Sequence, residues 1–89
     1  RGLMKVNVRN RFAVGDWLEI IHPGGNHDVR LTSMENLDAQ PMPVAPGSGH
    51  TVWLPLPESA VGAFVARYVN PPMVLNLKLM VFFVEHTPR

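Results

Sequence analysis

The sequence predicts an all-β domain, a small antiparallel β-barrel of about six strands. Three observations carry that reading. Apolar and polar residues alternate, as in Met4-Lys5-Val6-Asn7-Val8-Arg9, which is the period of a half-buried strand rather than a helix. Nine prolines and seven glycines punctuate only 89 residues, too often for long helices. The apolar runs between these breaks are short and closely spaced, and a barrel closes such strands without leaving an open edge.

The first expected strand runs from Leu3 to Arg9. Met4, Val6 and Val8 share the inner face, and Lys5, Asn7 and Arg9 the wet one. Phe12 and Val14 follow at a corner, where a large apolar side chain can plug a barrel end. Gly15-Asp16 marks the turn, because Gly takes the positive φ that a sharp corner needs. The second strand is Asp16 to His22, with Leu18 and Ile20 inward and Trp17, Glu19 and Ile21 outward. Trp17 reads first as a cover for the edge of the core, with a binding platform as the alternative.

Pro23-Gly24-Gly25-Asn26 has the composition of a hairpin loop, and His27 to Met34 returns as the third strand. His22 and His27 flank that loop and could face each other. Glu35 to Gln40 is a polar turn. Pro41-Met42-Pro43-Val44 suits an edge strand, since proline lacks the ladder donor. After the loop Ala45-Pro46-Gly47-Ser48-Gly49, His50 to Leu56 is a strand with Val52, Leu54 and Leu56 on one face. Glu58-Ser59-Ala60 is a turn or a single helical turn. Gly62 to Val69 permits a short helix, but Phe64, Val65, Tyr68 and Val69 favour a strand. Asn70-Pro71-Pro72 breaks the chain. Met73 to Val84 is then either a last strand closing the barrel or a surface that packs on a neighbour. It is too short for a membrane-spanning helix, which needs roughly 20 apolar residues.

The chain has no cysteine, which excludes a disulfide framework, a thiolate zinc site and a cysteine-held iron–sulfur cluster within these residues. Arg1 stands where an initiating Met would be and no signal peptide follows, so a longer cytoplasmic parent is expected. The net charge of +1 steers little by itself. Its placement says more: Arg1, Lys5, Arg9 and Arg11 are four of the eight positive side chains, and no acid lies among them. A solvated strand face and an anion-binding face both fit this run.

The glycine loops lack the Lys-Ser or Lys-Thr of a phosphate-cradling loop, since Gly49 is followed by His50 and Thr51. His22, His27 and His50 could meet around a metal only if their loops converged, and their spacing matches no ligand motif. No serine sits in a nucleophile elbow. What remains is cationic and aromatic. Lys5, Arg9, Arg11, Arg30 and Arg67, with Trp17, Trp53 and Tyr68, are candidates for gripping RNA by phosphate contact and base stacking.

The run Val8-Arg9-Asn10-Arg11-Phe12-Ala13-Val14-Gly15-Asp16, followed by Leu18-Glu19, resembles the C-terminal domain of the collagenase-like U-32 peptidase family. So do His22-Pro23-Gly24-Gly25-Asn26, Met34-Glu35-Asn36, Val44-Ala45-Pro46-Gly47-Ser48-Gly49-His50 and Pro55-Leu56-Pro57. Within the family the pattern looks most like the bacterial branch that forms 5-hydroxyuridine at the tRNA wobble position. The resemblance implies a parent with an upstream catalytic domain that uses an iron–sulfur cluster and prephenate. It also implies a C-terminal barrel resembling domain two of elongation factor Tu, non-catalytic and helping to hold tRNA. Docking on the catalytic domain or a partner, and service to a collagenase-like peptidase, are the alternatives. The family pattern ends near Ala66-Arg67-Tyr68. Residues 1–70 are therefore expected to form the domain, and 71–89 a lineage-specific extension or a vector-derived or frame-shifted tail.

Overall fold

The computed structural model describes residues 3–69 and 77–85, and these are almost wholly strand, turn and loop. Eight strands follow in order: β1 (Leu3–Asn7), β2 (Phe12–Ala13), β3 (Trp17–Ile21), β4 (His27–Arg30), β5 (Val44–Ala45), β6 (Thr51–Pro55), β7 (Phe64–Tyr68) and β8 (Lys78–Phe83). Glu58–Ala60 is a single 3-10 turn, one of the two forms its sequence allows. Of the expected strand from Gly62 to Val69, Phe64–Tyr68 is strand, and Gly62 lies in the turn before it. The expected break at Asn70-Pro71-Pro72 and the start of the last segment, Met73 to Asn76, lie outside the described residues.

Every pairing is antiparallel. β1 pairs with β6, β2 with β5, and β4-β3-β7-β8 form a four-stranded sheet. The all-β, antiparallel expectation therefore holds, while the closed barrel of about six strands does not. The described strands fall into three separate sheets, and no continuous ladder joins them into a cylinder. Local chemistry accounts for the interruption. β2 and β5 are two residues long, and Pro41, Pro43, Pro55 and Pro57 withhold backbone donors where strands would have to continue. Single hydrogen bonds knit the sheets instead. The Arg9 N–H reaches Val81 O at 2.7 Å, and Asn10 Nδ2 donates to Met80 O at 2.7 Å, so the end of β1 runs beside β8.

The β2–β3 corner shows how sequence sets the path. Asp16 N–H donates to Ala13 O at 3.1 Å, and Asp16 Oδ2 accepts from the Ala13 N–H at 2.8 Å. Gly15 holds φ at 97°, the left-handed value that a type II turn asks of its third residue. In the next hairpin Asn26 Oδ1 accepts from the His22 N–H at 3.0 Å. His27 sits opposite Ile20, and the Gly25 N–H donates to His22 O at 3.0 Å, so His22 lies within the turn and the expected meeting of His22 and His27 does not occur.

Inward positions of all the longer strands make one core. Val6, Leu18, Ile20, Val52, Leu54, Val65, Val81 and Phe82 are buried, with Phe12 arriving from the corner. Phe12 and Phe82 meet at its centre, ring centroids 5.3 Å apart and tilted by 49°. Each large side chain so buried contributes about 1.5–3 kcal/mol of transfer free energy. The described part of the last segment thus belongs to the fold: β8 pairs with β7 and adds Val81, Phe82 and Val84 to the core. Phe12→Ala and Phe82→Ala are each expected to cost about 3–5 kcal/mol in urea unfolding. The double variant should cost less than their sum, because both remove the same ring pairing; strict additivity would show that the rings do not support one another.

Candidate nucleic-acid interface

Period-two alternation puts Lys5, Asn7 and Arg9 on the outer face of β1 and its extension. Lys5 is opposite Trp53 in register, and its Nζ lies 5.9 Å from the indole centroid, within cation–π reach. One step along, Thr51 Oγ1 donates to Asn7 Oδ1 at 3.0 Å. Arg9 comes next, exposed beside β8.

A second group forms at the far edge of the four-stranded sheet. Trp17 and Arg30 face each other across β3 and β4, and Trp17 keeps 39% of its surface in solvent. Trp17 is therefore partly covered and partly open to solvent. Arg30 Nε donates to Gly15 O at 3.1 Å, which ties the guanidinium to the corner. Arg11 is exposed, and its carbonyl accepts from Arg67 Nε at 3.1 Å. The structure therefore brings Lys5 to Trp53 and Arg30 to Trp17, but splits the predicted residues between two regions.

Carboxylates sort these cations. Arg67 Nε lies 3.9 Å from Asp16 Oδ2, and Lys78 Nζ lies 2.7 Å from Glu19 Oε1. Among the described residues, Lys5, Arg9, Arg11 and Arg30 have no such ion pair. Arg67, grouped with them on sequence, serves the corner instead.

Tyr68 also leaves the stacking set. It is buried on the outer face of the sheet, where its hydroxyl donates to Asp28 Oδ1 at 2.8 Å and Lys78 Nζ sits 5.6 Å from its ring. Burial, the hydrogen bond to Asp28 and the charges of Asp28 and Glu19 push its hydroxyl up to about 12.

Phe64 and Phe83 were not among the sequence candidates. They pair across β7 and β8 on the outer face, centroids 4.8 Å apart, and Phe64 is 50% exposed. Alternation was an available signal for Phe64, the outward neighbour of Val65, but not for Phe83, because Val81 and Phe82 are buried in succession. With Asn7, Arg9 and Glu85 these rings line an open groove of about 290 Å³.

No group of three or more His, Cys, Asp or Glu that could hold a metal ion occurs among the described residues. With no cysteine in the chain either, these residues do not fit the iron–sulfur cluster implied for the parent. No described helix is long and apolar enough to cross a membrane.

Fold and surface together define a small all-β module that presents cations beside aromatics on its outer faces. Residues 1–67 match the peptidase family U32 C-terminal domain, and the chain belongs to that family. Over 56 residues it is 52% identical to the tRNA hydroxylation protein P of Escherichia coli (strain K12), a match that covers 63% of this chain and 12% of that protein. A tRNA hydroxylation protein P of Haemophilus influenzae is 34% identical over 58 residues, 65% of this chain and 13% of that protein. The chain thus spans about an eighth of the length of these curated relatives. No solved structure gives a significant match.

The buried phenol yields a pH prediction. Its folded value lies above the ordinary 10, so the neutral form is favoured by folding. That stabilisation is complete below pH 10 and is lost as pH rises towards 12. Tyr68 is the only tyrosine in the chain, so tyrosinate absorbance follows it directly. Asp28→Asn should lower the midpoint; an unchanged midpoint would show that Asp28 contributes nothing.

Proposed function

We propose that this chain is a non-catalytic module that helps a tRNA hydroxylation protein hold its tRNA while upstream parts of the parent modify the wobble uridine. Lys5, Arg9, Arg11 and Arg30 make the phosphate contacts, and Trp53 and Trp17 offer stacking faces. The carrying observation is that these four cations lack carboxylate partners among the described residues, whereas Arg67 and Lys78 have them. Unpaired surface cations release counterions when they meet a phosphate backbone, which is the main source of affinity in such binding. Lys5 over Trp53 and Arg30 opposite Trp17 add the mixed cation and ring surfaces on which single strands settle. Kinship with proteins named for tRNA hydroxylation supplies the nucleic acid.

A second reading has a specific observation of its own. Val69, Leu77 and Leu79 are 52%, 55% and 41% exposed around the β7–β8 connection. Such an apolar cluster suits docking on the rest of the parent chain. It predicts association without salt dependence.

Titration of the chain with tRNA over a range of salt separates the two. The double variant Arg9→Gln, Arg11→Gln should weaken binding and reduce the slope of log K against log salt by about 1–2, close to 0.9 for each phosphate that is no longer neutralised. Absence of tRNA affinity at low salt would remove the RNA reading.

A further inference from the structure

We propose that the groove between the end of β1 and the outer face of β7–β8 is a seat for one unpaired nucleotide, its base on the Phe64–Phe83 pair and its phosphate on Arg9. This rests on the RNA-binding reading and adds a place, a stoichiometry and two residues to it.

The aromatic pair is unusual for where it stands. Phe64 and Phe83 lie on the solvent side of a sheet whose other side is already filled by Val65 and Phe82. Half of Phe64 remains in water, and the rings need each other for nothing in the core. Their tilt of 57° leaves no flat two-ring platform, so a base packs on one ring and abuts the edge of the other. The open groove of about 290 Å³ has room for one base.

Charge decides what else lies there. Arg9 lines the same groove, is exposed, and has no ion pair among the described residues. Its backbone is fixed by the N–H to Val81 O at 2.7 Å, so the guanidinium is delivered from a rigid root. Asn7 brings an amide held by Thr51 Oγ1 at 3.0 Å, with its NH2 left to donate. Glu85 lines the groove as well, and Arg9 is the cation among the lining residues, so it is the one that a phosphate meets there. From Arg9 the outer face continues through Asn7 and Thr51 to Lys5 and Trp53, so a strand entering at the phenylalanines meets cations spaced along β1. The succession of ring, cation, amide, cation and ring follows a single strand, whose bases are free to stack. A duplex hides its base faces, and an apolar protein segment would leave Arg9 and Lys5 unanswered.

The test uses the whole chain and a short RNA carrying one 2-aminopurine, whose fluorescence falls on stacking, with an abasic RNA of the same length as control. The intact chain should quench the probe. Phe64→Ala should reduce both the quenching and, by about tenfold, the affinity. Phe83→Leu, which keeps apolar bulk on the sheet face, should do the same without loss of fold. Neither should change the salt slope, whereas Arg9→Gln should lower it by about one phosphate. The abasic RNA should be indifferent to both phenylalanine changes. RNA binding that survives both phenylalanine variants, while the Lys5 and Arg30 variants abolish it, would overturn the seat and leave the wider RNA reading standing. Absence of RNA binding by the intact chain would overturn both, and cross-links from Phe64 positions to the parent's other domains would then identify the groove as a protein contact.

Discussion

The contact between Phe12 and Phe82 is the constraint on which the rest of the surface depends. One ring comes from a corner near the start of the chain and the other from its last described strand. With both fully buried, β3, β7 and β8 must turn Leu18, Ile20, Val65 and Val81 towards them. Alternation then sets what faces water along β3, and it gives way only at the bulge between β7 and β8, where Val65 and Ala66, and Val81 and Phe82, are buried in succession. Trp17, Glu19, Phe64 and Phe83 stand outside as a consequence of what stands inside. The surface chemistry is therefore a property of the core register and not of the loops.

The same logic separates what was legible in the sequence from what was not. Strands β1, β3 and β6 could be read residue by residue, since their inner faces repeat at every second position. Gly15 announced its corner because few other residues hold a φ of 97°. Closure into a barrel was not legible, because it depends on pairings between distant strands, and those depend on backbone donors that proline removes. The roles of Arg67 and Tyr68 were hidden for a related reason. Nothing local says that Asp16 will lie beside one and Asp28 beneath the other. In β8 a register shift opposite Val65 and Ala66 buries Val81 and Phe82 in succession, which breaks the simple alternation and conceals Phe83 as an outward residue.

A net charge of +1 hides two populations of cations. Lys78 and Arg67 answer carboxylates on β3 and its corner and help fix the sheet. These pairs are partly exposed, so each contributes little to stability, about 1 kcal/mol or less. They also occupy Asp16 and Glu19. Lys5, Arg9, Arg11 and Arg30 are left with rings, carbonyls or solvent. These cations stand in two regions, Lys5 beside Trp53 and Arg30 beside Trp17, and within a Debye length of about 8–10 Å each local group counts for more than the net charge.

The groove at Arg9 joins residues inside and outside the family match. Asn7, Arg9 and Phe64 lie within the stretch that matches the family, and Phe83 and Glu85 lie beyond it. Because Phe82 plugs the core beside Phe12, the strand that carries Phe83 is held by burial whether or not anything binds outside it. The outer ring is consequently free to vary without unfolding the domain, while its inner neighbour is not. The position of the groove is likewise set from inside the domain, through the hydrogen bond that ties Arg9 to Val81 on the strand Phe82 anchors.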